Sequence, residues 1–490
     1  MKKICYLIVF TMLILSGCSE SFLDTQPEDA LAPGIFFKTP ADIKTGLVAV
    51  YKPLQTIYNQ GGVLTIVENM SDDGTQPFAV SAFNNFYKDN TNSAVAMWTN
   101  YYKMIVNANN IIDIIDKFVP KTDADAALVK AYRGEACFLR AFAYFNLVRL
   151  YGDVPKVVKP FTDPNTAFGV GRTPVSNLYS EVIIPDLESA IADCYKKGDA
   201  AITSEGARVT KGTALTILAE VYLTLHDNTN AAATLKRLIV DKEGGTYTLM
   251  SDYAKIWLPA NKFNTESIFE VNFNVAAGFP SYYFRNMSSV GPNVYKVTTS
   301  SCQYAGCKNL MDEFVAYQDW KRYDVSLDSG WHAMNNLITP IPLKNMPPLD
   351  VATLKNYNNV GTDYNFMISR YADALLMYAE ALMTTDPGTA VTYINQVRAR
   401  VNMAPIAVGD LNIDRILHER RMELTFEGHR YFDLVRTGKA IEYISSDLMS
   451  NVDYEKRIFR SEPIPEYQLI LPIPVTEIEK DQTLTQNPGY

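Results

Sequence analysis

The strongest constraint on this chain is a repeated pairing of amphipathic helices. In "RYADALLMYAEALM" (370–383) the apolar positions Tyr371, Ala374, Leu375, Tyr378, Ala379 and Leu382 are spaced alternately three and one apart. That is the period of a helix with one broad apolar face. "TDPG" follows, where Asp386 suits an N-cap and Pro387 a first helical position. Ala390, Ile394, Val397 and Val401 then form a second stripe. Two such helices joined by about four residues predict an antiparallel hairpin.

The unit recurs. "TALTILAEVYLTLHDNTNAAATLKRLI" (213–239) places Leu218, Ala219 and Tyr222 before Ala231 and Leu235. This spacing follows the tetratricopeptide pattern, in which small residues let paired helices approach closely. A long helix is predicted from about Leu128 to Leu150, ending at "YGDVP", where Gly152 caps it and Pro155 blocks continuation. Another is predicted near 99–117, with Ile105, Ala108, Ile112 and Ile115 aligned. One hairpin cannot bury its face alone, so a stack of three or four pairs is expected.

Two regions break the helical period. "ESIFEVNFNV" (266–275) alternates, which predicts a half-buried strand. The stretches 59–97 and 276–368 are long and rich in Gly, Asn, Pro, Tyr and Phe. Loops of that length in a compact protein usually carry function, and their aromatic content argues against disorder. The expected class is mainly α, a tetratricopeptide-like stack of helix pairs with an irregular, loop-rich half and minor β structure.

The N-terminus reads as a leader. Lys2 and Lys3 precede an apolar run from Ile4 to Leu15, too short to span a bilayer core of about 30 Å as a helix. Leu15-Ser16-Gly17-Cys18 then resembles the lipobox of bacterial lipoproteins, in which cleavage precedes the cysteine and its thiol is lipidated. Residues 1–17 are therefore expected to be removed, leaving Cys18 as the anchor. Acidic residues follow it (Glu20, Asp24, Glu28, Asp29), which fits export to the outer leaflet of an outer membrane. The full chain carries a net charge of −9, which becomes −11 once the two lysines go. That balance argues against a nucleic-acid or anionic-lipid surface. Four cysteines remain, Cys137, Cys194, Cys302 and Cys307, in no zinc-binding spacing. Cys302 and Cys307 are close enough to pair in an oxidising place; buried free thiols are the alternative.

Five further stretches are specific in combination: "FLRAFAYFNLVRLYGDVP" (138–155), "RYADALLMYAEAL" (370–382), "INQVRAR" (394–400), "ILHERRMELTFEGHRYFDLVRTGKA" (416–440) and "LPIPVTEIEKDQTLTQNPGY" (471–490). With "FLDTQPED" after the lipobox, they resemble the SusD/RagB family across nearly the whole mature chain. The resemblance implies an outer-membrane lipoprotein that captures nutrients, usually glycans and in some members peptides. It implies a partner, a SusC-like TonB-dependent transporter that the lipoprotein covers as a lid. It also implies one domain over 18–490. An N-terminal helical part, about 18–260, carries the first ligand loop. A second part, about 261–490, carries the second loop and the closing helices.

These recognisable stretches read as scaffold. Glu419, Glu423 and Glu427 lie four apart and would repel without cations between them. Arg420, Arg421, Arg430 and Arg436 are the available partners, and arginine pairs with carboxylates through two bonds. An ion-pair network is therefore expected there, with His418 solvated or paired with an acid.

A glycan presents C–H patches on its ring faces and hydroxyls around its rim. A site needs flat aromatic faces and amide or carboxylate groups. Two or three such platforms, less ordering costs, give about 4–8 kcal/mol, a Kd between about 1 mM and 1 μM. The first candidate loop (72–90) offers Phe83, Asn84 and Tyr87; the second offers Tyr282, Tyr283, Arg285 and Tyr295, extended by Trp331. Trp98, Trp257 and Trp320 lie in contexts that predict core positions. Arg285 suits a uronic acid or a peptide carboxylate.

Other functions are weaker readings. A glycosidase needs two carboxylates across a cleft, and the adjacent Asp72 and Asp73 do not supply that separation. "DDG" falls short of a calcium loop, and a structural calcium there is the only cofactor reading. His226, His332, His418 and His429 form no metal spacing, and neither a nucleophile elbow nor a phosphate loop occurs. A helical-repeat adaptor that binds proteins is the remaining alternative.

Overall fold

The computed structural model describes residues 36–59, 62–76, 83, 86, 92–161, 163, 168–202, 205–283, 304–328, 340–345, 361–449 and 461–490. The expected leader and its Cys18 lie outside them. Among the described residues no helix is long and apolar enough to cross a membrane.

Helices dominate, and their ends follow local chemistry. Helix α1 (Pro40–Ile57) starts with Pro40 at its first position and a reciprocal cap between Thr39 and Asp42. After α2 (Val63–Asn69) and strand β1 (Gly74–Thr75) come α3 (Asn92–Lys117) and α4 (Asp123–Tyr151). Helix α4 begins five residues before the expected Leu128 because the Thr122 hydroxyl accepts the Asp125 N–H. It ends where expected, at Gly152, whose φ of +74° favours glycine. A π-helical turn at Tyr179–Ile183 leads into α5 (Ile184–Asp193), followed by α6 (Lys211–Thr224) and α7 (Asn228–Ile239).

The chain then leaves the stack. It forms β2 (Ser267–Val271), β3 (Ala305–Gly306), α8 (Lys308–Tyr317), α9 (Trp320–Ser326), β4 (Leu327–Asp328), β5 (Ile341–Pro342) and β6 (Phe366–Arg370). It returns with α10 (Tyr371–Leu382) and α11 (Pro387–Arg400), the predicted hairpin, with the Asp386 side chain capping at Thr389. Helices α12 (Ile413–Leu424), α13 (Arg430–Arg436), α14 (Ala440–Met449) and α15 (Val475–Lys480) close the chain.

Neighbouring helices pack in order from α3 through α7, and α1 packs on α3 and α4. Helix α7 then packs on α10, which pairs with α11. The helical array is thus continuous in space although more than a hundred residues interrupt it in sequence. Small residues set the closest approaches. A Cβ on Gly134 of α4 would meet Cys194 Sγ, just after α5, at 2.9 Å. The main core follows this array, with Phe138 and Phe142 of α4 stacked near Phe269 of β2.

Two of the quoted stretches meet here. The Leu471 N–H donates to the Leu150 carbonyl, and Asn487 Nδ2 donates to the Tyr151 carbonyl at 2.9 Å. The C-terminal segment therefore straps the end of α4.

The strand expectation needs correction. Strand β2 is buried at all five positions and pairs antiparallel with β6, which the sequence reading missed. Glu270 is covered too. It is satisfied by Asn365 Nδ2 at 2.8 Å and the Phe263 N–H at 3.0 Å, so alternation marks polar partners inside, not an open face.

Candidate functional site

A deeply buried charge network exists, but its pairing corrects the expectation: Arg420, Arg421, Arg430 and Arg436 pair with Asp433, Asp73, Asp72 and Glu380, not with Glu419, Glu423 or Glu427. Arg370, at the end of β6, sends Nη1 to Glu266 at 2.7 Å and Nε to Glu427 at 2.7 Å, and also reaches Glu423. Arg322 of α9 bonds Asp319 and Glu419, each at 2.6 Å. Glu423 receives Arg322, Arg370 and Arg400. Burial alone would raise the Glu423 carboxyl, but Arg400, Arg370 and Arg322 hold it well below the usual range. His418 is paired with Glu313, which also meets Arg421.

The network reaches the roots of both candidate loops. Arg430 grips Asp72 with two bonds of 2.7 Å, and Arg421 Nε donates to Asp73 at 2.6 Å. These aspartates immediately precede β1. The pair reads as structural, and among the described residues no group of three or more His, Cys, Asp or Glu is arranged to hold a metal. Lys344, just beyond β5, donates to Glu427 at 2.7 Å and to the Glu423 carbonyl at 2.9 Å. Burial, opposed by Glu427, lowers this lysine to about 8.

The roots themselves are paired. Strand β1 runs antiparallel to β3, with Gly74 opposite Gly306 and Thr75 opposite Ala305. The Cys307 N–H reaches the Asp73 carbonyl, and the Gly306 N–H reaches the Pro340 carbonyl, both at 2.8 Å. Strands β4 and β5 pair across the excursion that contains Trp331. The residues that bound these segments, Thr75, Ala305, Pro340 and the paired strands β4 and β5, therefore lie beside one another. Gly74 is required there: an added Cβ would lie 2.5 Å from the Glu68 carbonyl oxygen. Glu68 itself is buried, with Oε1 accepting the Gly428 N–H at 2.8 Å. Burial, reinforced by Asp73, pushes its carboxyl up to about 8.

The predicted contact residues divide three ways. Asn84, Tyr87, Arg285, Tyr295 and Trp331 lie outside the described residues, as does Cys302 of the candidate disulfide with Cys307. Phe83 and Tyr283 are buried, which corrects their expected role as open platforms. Phe83 lies in the main core with Phe86. Tyr283 packs on Phe366, and its hydroxyl bonds that of Tyr304, so both rings anchor the second loop's ends. Tyr282 is half-buried and lines an open cleft of about 400 Å³ with Gln55, Asn59, Phe273, Phe279 and Pro280.

Phe279, missing from the sequence candidates, is the most open ring of this cleft, at 48% exposure. A tight turn aims it. Asn274 and Phe279 exchange backbone bonds of 2.7 and 2.9 Å, with Gly278 at φ +81°. Asn59 completes the frame, its Oδ1 accepting the Tyr282 N–H at 2.7 Å and its Nδ2 donating to the Pro280 carbonyl at 3.2 Å. "GFP" in the second loop was the available signal. None of the residues lining this cleft is a carboxylate, so it offers planar faces and amides but no acid–base pair.

The other tryptophans are mixed. Trp98 and Trp257 are buried as expected, whereas Trp320 is 48% exposed. Arg322, Tyr323 and Ser326 occupy the inward face of α9, which leaves its first residue outside.

Two family models match this chain. One, described as the SusD family, covers residues 287–490. The other, described as starch-binding associating with outer membrane, covers 21–223. The SusD-like protein P2 of Formosa agariphila is 28% identical over 100% of both chains. SusD-like protein P38 of the same organism is 27% identical over 90% of this chain and 92% of its own. Among solved structures, a laminarin binding SusD-like protein superposes with a TM-score of 0.76 at 27% identity. That superposition covers 93% of this chain and 100% of that one.

Proposed function

This chain belongs to the SusD/RagB family, and from that premise we propose that it is a surface receptor for a nutrient glycan. It binds the glycan without cleaving it and delivers it to a SusC-like TonB-dependent transporter. In this reading Cys18 carries the lipid that holds it on the outer membrane. The similarity over nearly the full chain to a protein described as laminarin binding supports the ligand class, and β-glucans are the first polymers to test.

The observation that carries the reading is the shared root of the loops. Pairing of β1 with β3 sets the start of the first aromatic excursion beside the end of the second, and the paired strands β4 and β5 that bound the segment of Trp331 adjoin β3. In this reading Asn84, Tyr87, Arg285, Tyr295 and Trp331, on the segments these strands bound, contact the glycan. Tyr282 and Phe279 extend the surface toward α1. Weak contacts spread over such a surface retain a polymer and still release it.

The test is native affinity electrophoresis through gels containing laminarin, starch or other polysaccharides. Retardation by at least one polymer, without release of reducing sugar, is the expected result. Release of reducing sugar by the purified protein would make it an enzyme. Unretarded migration in every gel, with binding to a peptide library, would move the ligand class to peptides. Co-purification of a β-barrel transporter from outer membranes tests the partner.

A further inference from the structure

A small satellite core lies beside the main one, built from Tyr253, Ile256, Trp257, Met367 and Val401. At its edge lies a cavity with about 10 Å³ of room for the centre of a water molecule, whose lining includes Trp257, Lys262, Glu270, Asn345, Asn365 and Met367. One water needs about that much.

The polar groups around the cavity fall into two sets. Asn365, Glu270 and Lys262 are satisfied, with Lys262 Nζ donating to the Phe273 carbonyl at 2.6 Å. Asn365 Nδ2 donates to Glu270 Oε2, and Asn365 Oδ1 accepts the Phe273 N–H at 2.9 Å. Among the described residues, Trp257 Nε1 and both side-chain polar atoms of Asn345 have no hydrogen-bond partner. Trp257 is 7% exposed and Asn345 3%, so bulk solvent does not serve them. A buried polar group without a partner costs about 1–3 kcal/mol.

The chemistry selects the occupant. It must accept from the indole N–H and exchange bonds with a carboxamide, within the volume of one small molecule. A cation is excluded, because Lys262 already lines the cavity and Lys344 Nζ and Arg370 lie 4.8 and 5.6 Å from the centre of the Trp257 ring. A water molecule both accepts and donates. We propose that one ordered water bridges Trp257 Nε1 and the Asn345 carboxamide as a permanent part of the fold. Asn345 sits in the left-handed region, at φ +61°, directly after Lys344 and three residues beyond β5. The water thereby pins the corner at which the chain leaves the charge network.

A crystal structure of the purified protein at high resolution tests this. Density for one water within hydrogen-bond distance of Trp257 Nε1 and Asn345 is expected. A dry cavity, or an Asn345 carboxamide paired with protein groups, overturns the proposal. A double-mutant cycle gives a second readout. Trp257→Phe removes the bridging N–H together with part of the indole ring. In that background Asn345→Ala is expected to lower the unfolding midpoint less than it does alone; additive shifts would count against the bridge.

Discussion

The helix stack and the junction that carries the loops are held by different forces. In the stack, α4 buries Phe138, Phe142, Phe145 and Leu147 against neighbours, and α10 buries Leu375 and Leu376. Such contacts are non-directional and tolerate repacking. At the junction, Arg322, Arg370, Arg421 and Arg430 meet carboxylates in fixed forks, nearly all buried. A buried ion pair is weak evidence for net stability, because desolvation offsets much of the attraction. Its geometry is directional, however, and removing one partner strands the other. The contrast teaches that apolar packing builds the body while ion pairs set where the loops begin.

Breaking the junction has the largest expected effect. Arg370→Met leaves Glu427 and Glu423 short of a buried partner, a loss of about 3–5 kcal/mol by urea unfolding. Leu375→Ala in the stack is expected to cost about 2–5 kcal/mol through its cavity, with glycan retention intact in the fraction that folds. If Arg370→Met proved milder than Leu375→Ala, the contrast drawn here would be wrong.

Glu68 sharpens the comparison through pH. Its folded carboxyl, raised from an ordinary 4.5 to about 8, stays protonated where the unfolded chain is ionised. Folding therefore gains from this group below about pH 4.5, and the gain is lost as pH rises to about 8. Glu68→Gln is expected to raise stability by about 1–3 kcal/mol at pH 8 and to flatten the profile between those values. Chemical unfolding at several pH values checks this, and an unchanged slope would remove Glu68 as its source.

Phe279→Ala gives the smallest change in stability, within about 0.5 kcal/mol, because the ring is half open. Its predicted effect is on function: weaker retardation in a glycan gel with an unaltered unfolding midpoint. Normal retardation would remove this ring from the binding surface.

Much of the stack was legible because helices write their period locally. The α10–α11 hairpin, the Asp386 cap and the end of α4 at Gly152 all follow from residues within a turn or two of each other. The ion network was legible in outline, since carboxylates at 419, 423 and 427 demand cations. None of the expected arginines meets them; Arg322, Lys344, Arg370, Arg398 and Arg400 do so instead. Arg322, Lys344 and Arg370 lie 50 to 100 residues away and arrive only through folding. The burial of Phe83 and Tyr283 and the exposure of Trp320 were likewise hidden, because a loop aromatic has no periodic partner that declares which side is covered.

Local period and end-capping chemistry, which act within a few residues, determined that this chain would pair its helices and stack them. Strand pairing between residues 74–75 and 305–306, and the forks from Arg421 and Arg430 to Asp72 and Asp73, join segments hundreds of residues apart. Only the tertiary structure decided these, because loop closure brings such groups together and no neighbour in sequence records where they meet.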